Sequence, residues 1–142
     1  MKVVADTNTL VSGFLWGGLP ARLLDAGLTS RFGLYTSAEL LSELDETLRA
    51  PKFAERLTIR GHTAESLVGA FRFSCHEVVS PPRVSAPELR DSDDLHVLSC
   101  ATAVPVDLIV SGDKDLLVLK SFRGIPIVTA RRALEILGLL VP

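Results

Sequence analysis

Apolar residues follow two rhythms along this chain. Short unbroken runs such as Val3-Val4-Ala5 and Leu108-Ile109-Val110 suit strands buried on both faces. Longer stretches repeat every three to four residues, as at Leu40, Leu41, Leu44 and Leu48, which is the stripe of a helix packed on one side. The first run predicts a strand ending at Asp6, followed by a helix over Thr7 to Trp16 that Gly17-Gly18 closes. Pro20 suits the start of the next helix, Ala21 to Ala26. Arg31 to Thr36 reads as a second strand, and Thr36 with Glu39 has capping-box spacing for a helix that Pro51 stops. Two helices follow, Lys52 to Leu57 and Thr63 to Phe73, the second capped by Thr63 and striped by Leu67, Val68 and Phe71.

Cys75 to Val79 is a third strand, and Ser80 to Pro87, with three prolines, a loop. Asp91 is expected to cap a helix over Ser92 to Ala103. Asp107 to Ser111 gives a fourth strand, Leu116 to Leu119 a helix-like run, Ile125 to Val128 a fifth strand, and Thr129 caps a final helix through Leu137. Strands alternating with helices predict an α/β fold: a three-layer α/β/α sandwich around a mostly parallel central sheet of about five strands. With 142 residues, no internal repeat and no low-complexity tract, residues 1–142 are expected to form a single domain.

Composition narrows the classes. An apolar share of 47% is absorbed by a doubly covered sheet or an oligomer interface, because no apolar run reaches the ~18 residues that span a bilayer. The opening residues lack a signal peptide's apolar core, so a cytoplasmic protein without membrane association is expected. Cys75 and Cys100 lie in apolar surroundings without C-x-x-C spacing and read as buried free thiols. A net charge of −2 steers nothing toward nucleic acid, so any such binding needs a local patch. Arg49, Lys52, Arg56 and Arg60 are the dense basic group, explained equally well as a backbone-phosphate contact or as solvated helix charges. Phe14 and Trp16 are expected to pack in the core or in a dimer interface.

The candidate chemistry is carboxylate chemistry. Asp6 and Asp113 each stand just past the end of an apolar strand, and neighbouring strands would place them side by side at the sheet edge where α/β proteins bind ligands. Asp94 heads the stripe of Val97, Leu98 and Ala101, while Asp93 points about 100° away around the helix. Glu43, between Leu40 and Leu44, is placed to approach the same edge, although Glu39 and Glu46 lie one turn to either side. Each residue also has an ordinary explanation: Asp6, Asp91 and Asp113 as helix caps, Glu43 as a surface acid, Asn8 and Ser111 as turn formers, His96 as a surface histidine. Four carboxylates at one edge would repel one another, so a neutralising cation is expected, and oxygen-only ligation selects Mg²⁺ or Mn²⁺ over zinc. Such a site suits metal-assisted phosphodiester hydrolysis.

At Val4-Ala5-Asp6-Thr7-Asn8, Ser42-Glu43-Leu44, Arg90-Asp91-Ser92-Asp93-Asp94 and Ile109-Val110-Ser111-Gly112-Asp113-Lys114-Asp115, the sequence resembles the PIN-domain ribonucleases, most closely the VapC-related toxins of toxin-antitoxin systems. The resemblance implies that Asp6, Glu43, Asp94 and Asp113 form the catalytic acidic pocket of an endoribonuclease acting on single-stranded RNA, with Asp6, Asp94 and Asp113 on the metal. It places Asn8 and Ser111 at supporting polar positions, hydrogen-bonded to the acids or to a metal-bound water, and gives Asp115 an outer role. It further implies a homodimer and inhibition by a cognate antitoxin. Two other readings stand beside it. One is a phosphatase of the haloacid dehalogenase type, against which Asn8 replaces the expected second Asp; the other is a catalytically degenerate domain that binds RNA or a partner.

Overall fold

A computed structural model describes residues 1–81 and 94–142. The first strand, β1 (Lys2–Ala5), leads into α1 (Thr7–Leu15) and α2 (Gly18–Leu28), then β2 (Gly33–Ser37) and α3 (Ala38–Leu48). A 3-10 turn at Pro51–Phe53 precedes α4 (Ala54–Arg60) and α5 (Ala64–Ser74), which lead to β3 (Glu77–Val79). The second half holds α6 (Asp94–Ala103), β4 (Leu108–Val110), α7 (Lys114–Leu117), β5 (Ser121–Phe122), β6 (Ile125–Val128) and α8 (Ala130–Ile136). Among the described residues, six strands form one sheet in the order β3-β2-β1-β4-β6-β5, parallel except for the β5–β6 pair.

Because pleated strands point successive side chains to opposite faces, the apolar runs feed two cores. Val3, Ala5, Leu34, Leu108 and Val110 pack with Leu10, Leu15, Leu44, Leu48, Phe71 and Leu134 on one face. Val4, Tyr35, Ile109 and Ile127 pack with Val97, Leu98, Ala101 and Leu116 on the other. The result is the expected three-layer α/β/α sandwich. Gly27 permits the close approach of α2 to β2, since a Cβ there would lie 2.7 Å from Leu34 Cδ1.

The chain winds outward from β1 through β2 to β3 and then returns across the sheet to β4 on the other side of β1. The order reverses between β1 and β4, and in open α/β sheets the crevice beyond the carboxyl ends at such a reversal receives ligands. Val3 pairs with Leu108 and Ala5 with Val110, so the residues that follow, Asp6 and Ser111, meet at that crevice.

Several boundaries differ from the sequence expectations. Ser37, not Thr36, caps α3, its hydroxyl accepting from Leu40 N–H at 3.2 Å. Thr36 is instead a fully engaged strand residue opposite Val78. The complete capping box is Thr63 with Ser66, where each side chain bonds the other's backbone N–H. Helix α2 begins at Gly18, with Pro20 inside its first turn, where a missing N–H leaves no intrahelical bond unmade. The helix expected over Lys52 to Leu57 divides into the 3-10 turn and α4. The sixth strand, β5, was not expected; Arg123 and Gly124, at φ 49° and 82°, turn it back onto β6 as two-residue hairpins require. The Asp91 cap, the start at Ser92, the facing of Asp93 and most of the Ser80–Pro87 loop lie outside the described residues.

Candidate metal and active site

Asp6 is delivered to the sheet edge by β1 and caps α1, its Oδ1 accepting from Thr9 N–H at 2.9 Å. Its Oδ2 accepts a hydrogen bond from the Ser111 hydroxyl, and Ser111 Oγ in turn accepts from Asp113 N–H at 2.9 Å. Ser111 is 1% exposed and Asp6 8% exposed, so this relay ties the ends of β1 and β4 together away from water. Asp113 Oδ1 caps α7 by accepting from Asp115 N–H at 2.9 Å. The capping roles are therefore real. They also orient the two acids, because a carboxylate held by backbone N–H groups presents a fixed edge to its neighbours.

One cleft of about 160 Å³ opens over this edge, lined by Asp6, Thr7, Asn8, Leu40, Glu43, Thr47, Asp94, Val97 and Asp113. Helix α3 supplies Glu43 from one side, and α6 supplies Asp94 from its first residue. Glu43 lines this cleft, whereas Glu39 and Glu46 line neighbouring hollows, one of which Glu43 also borders. Carboxylate oxygens of Asp94, Asp113 and Asp115 all lie within 4.8 Å of one another. The sequence reading puts Asp6, Asp94 and Asp113 on the metal and gives Asp115 an outer role. Asp6 lines the cleft with Asp94 and Asp113, its two oxygens accepting from Thr9 and Ser111, and Asp115 comes close to Asp94 and Asp113 from outside the cleft lining.

Two groups were missed in the sequence. Thr7, first residue of α1, is buried in the cleft wall, and its Oγ1 has no hydrogen-bond partner among the described residues. His96, expected at the surface, is half-buried with Nδ1 3.0 Å from Glu43 Oε2. The spacing of His96 from Asp94 was visible, but nothing in the sequence showed that α3 would cross that turn of α6.

The basic group lies elsewhere. Arg56 and Arg60 donate to the Leu15 carbonyl, and Arg60 also donates to Trp16 O at 2.7 Å, satisfying carbonyls that the end of α1 leaves open. The Arg56 guanidinium covers the Trp16 ring, which meets Phe53 edge-on at 5.7 Å, and Arg49 pairs with Asp45. Phe14 packs edge-on against Phe71. Cys75 and Cys100 are free, and burial pushes both thiols up to about 12. Among the described residues no helix is long and apolar enough to cross a membrane.

An uncharacterized protein of Methanocaldococcus jannaschii, MJ1680, is 30% identical to this chain over 121 residues, covering 84% of the chain and 76% of that protein. The family model described as the PIN domain matches residues 2–115, which carry β1 through Asp115 and hence every acid of the cleft. The chain belongs to the PIN domain family.

Proposed function

We propose that the protein is a divalent-metal-dependent endoribonuclease that cleaves single-stranded RNA, and that it acts as the toxin of a type II toxin-antitoxin pair. The observation that carries the nuclease reading is the cleft at the β1–β4 reversal, lined by Asp6, Glu43, Asp94 and Asp113, with carboxylate oxygens of Asp94, Asp113 and the exposed Asp115 within 4.8 Å of one another. The donor set fits a hard cation: it is carboxylate oxygen throughout, without thiolate or imidazole in the trio. Membership of the PIN family supports phosphodiester hydrolysis, and the intact acids weigh against a degenerate binding module. The toxin role rests on the resemblance of the acid motifs to the VapC-related members, as do a homodimer and a cognate antitoxin.

Asp94, Asp113 and Asp115 would hold Mg²⁺ or Mn²⁺. When bound, the ion would polarise the scissile phosphate and make water acidic enough to attack near neutral pH. The remaining roles belong to the chain itself. Asp6, locked by Thr9 N–H and Ser111, keeps the ends of β1 and β4 in register and adds negative charge to the cleft wall. Glu43, on the facing wall, orients the attacking water and takes its proton. Asn8, exposed and lining the cleft, would donate to a phosphate oxygen.

The test is cleavage of a mixed-sequence single-stranded RNA with Mg²⁺ or Mn²⁺. Wild type is expected to cut internally, Asp94→Asn and Asp113→Asn to fall to background, and a chelator to stop the reaction. Equal behaviour of wild type and both variants would reject the nuclease reading. Release of phosphate from a small monoester, with RNA left intact, would favour the dehalogenase-type phosphatase instead. Co-purification with the product of an adjacent small gene, and suppression of cleavage by it, tests the toxin role.

A further inference from the structure

We propose that His96 is a positioning residue whose Nδ1–H holds the Glu43 carboxylate on the wall of the acid cleft; the inference rests on the nuclease reading above. Nδ1 lies 3.0 Å from Glu43 Oε2. An ionised carboxylate only accepts hydrogen bonds, so the contact places a proton on Nδ1. Both partners are substantially withdrawn from water, with side chains 28% and 20% exposed, and the contact bridges α6 and α3 across 53 residues of sequence.

The placement makes this contact more than a link between helices. Glu43 is the cleft acid supplied by α3, and Asp94, supplied by α6, lies two residues before His96. A glutamate has three side-chain torsions and rotates freely unless something fixes its head. Asp6 and Asp113 are fixed by backbone N–H groups at helix starts, a device closed to Glu43, which lies in the middle of α3. His96 supplies a restraint that the helix backbone does not. Conserving the geometry of a reacting group within a fraction of an ångström is what such supporting hydrogen bonds achieve in other sites, and their loss typically lowers activity or metal affinity about 10–100-fold.

The choice of substitution separates positioning from bulk. The amide nitrogen of asparagine falls near the position of Nδ1, whereas that of glutamine falls near Nε2. His96→Ala is expected to lower kcat on single-stranded RNA about 10–100-fold with KM for RNA changed little. His96→Asn should recover most of that loss and His96→Gln should not. In a Glu43→Ala background, His96→Ala should add nothing further, because the two residues act as one unit. A readout free of activity accompanies this: long-range proton–nitrogen spectra of the wild-type protein should show His96 protonated at Nδ1, and Glu43→Ala should shift that signal.

A His96 whose Nδ1 carries no proton would overturn the proposal whether or not the protein cleaves RNA. So would a His96→Ala variant that melts earlier yet keeps full kcat, the behaviour of a helix staple alone. If the wild type cleaves no RNA while the Nδ1 proton is present and moves with Glu43, the nuclease reading fails and the positioning of Glu43 stands.

Discussion

Replacing Ser111 with alanine tests the relay that joins the two strand ends. The hydroxyl donates to Asp6 Oδ2 and accepts from Asp113 N–H, and the residue is 1% exposed, so water cannot take its place without a cavity to enter. Alanine keeps the backbone and most of the volume but removes both bonds. Loss of a hydrogen bond to an ionised group costs about 1.5–3 kcal/mol, and stranding the partly buried Asp113 N–H adds up to about 1 kcal/mol. The sum is about 3 kcal/mol, a large fraction of the ~5–15 kcal/mol that holds a domain folded. For a domain of this size each kcal/mol moves Tm by roughly 3 °C, giving a fall of about 9 °C. Thermal unfolding followed by circular dichroism, in chelator at neutral pH, measures it. A double-mutant cycle sharpens the test: with Asp6→Ala already present, Ser111→Ala should cost only about 1 kcal/mol, since the charged partner is gone. A shift below about 2 °C in the single variant, or strict additivity in the cycle, would refute the relay.

Other consequences follow from the same geometry. Gly27→Ala sets a methyl 2.7 Å from Leu34 Cδ1 and should destabilise by about 1–3 kcal/mol in urea unfolding, whereas Gly112→Ala, with open space around it, should be close to neutral on these packing grounds. Leu44→Ala, in a fully buried site, should cost about 2–5 kcal/mol by the same measure. Asp115→Asn should weaken Mn²⁺ binding about 10–100-fold, and a variant that binds as tightly as wild type would remove Asp115 from the trio. The raised thiols of Cys75 and Cys100 retain protons in the folded state that the unfolded chain gives up near pH 9. Their contribution to stability is therefore complete below pH 9 and lost as pH climbs toward 12. Cys100→Ala should flatten the alkaline fall in urea midpoint, and iodoacetamide should label the native thiols slowly at pH 8 and rapidly after unfolding.

What the sequence disclosed and what it concealed have physical causes. The unbroken runs Val3-Val4-Ala5 and Leu108-Ile109-Val110 announced central parallel strands because both faces of those strands are buried. The positions of Asp6 and Asp113 at strand ends followed directly. The N-cap was displaced from Thr36 to Ser37 because the β3 pairing, a tertiary contact, carries β2 one residue further than local capping preference suggests. Strand β5 is only two residues long and turns through Arg123-Gly124, a pair with a weaker hairpin signature than Asn-Gly. The basic residues read equally well as a phosphate contact or as solvated helix charges, because charge spacing cannot reveal that Arg56 and Arg60 fold back onto a carbonyl 41 to 45 residues earlier. Likewise, the His96–Glu43 contact and the place of Asp115 depend on how α3, α6 and α7 converge, which no local pattern records.

The central claim is that acids from separate parts of the chain form one cation site. Titration of Mn²⁺ into the metal-free protein, followed by electron paramagnetic resonance of the free ion, tests it most directly. The wild type should bind saturably, and an Asp94→Asn, Asp113→Asn double variant that remains folded should not. Equal binding by the two proteins, or none by the wild type, would contradict it.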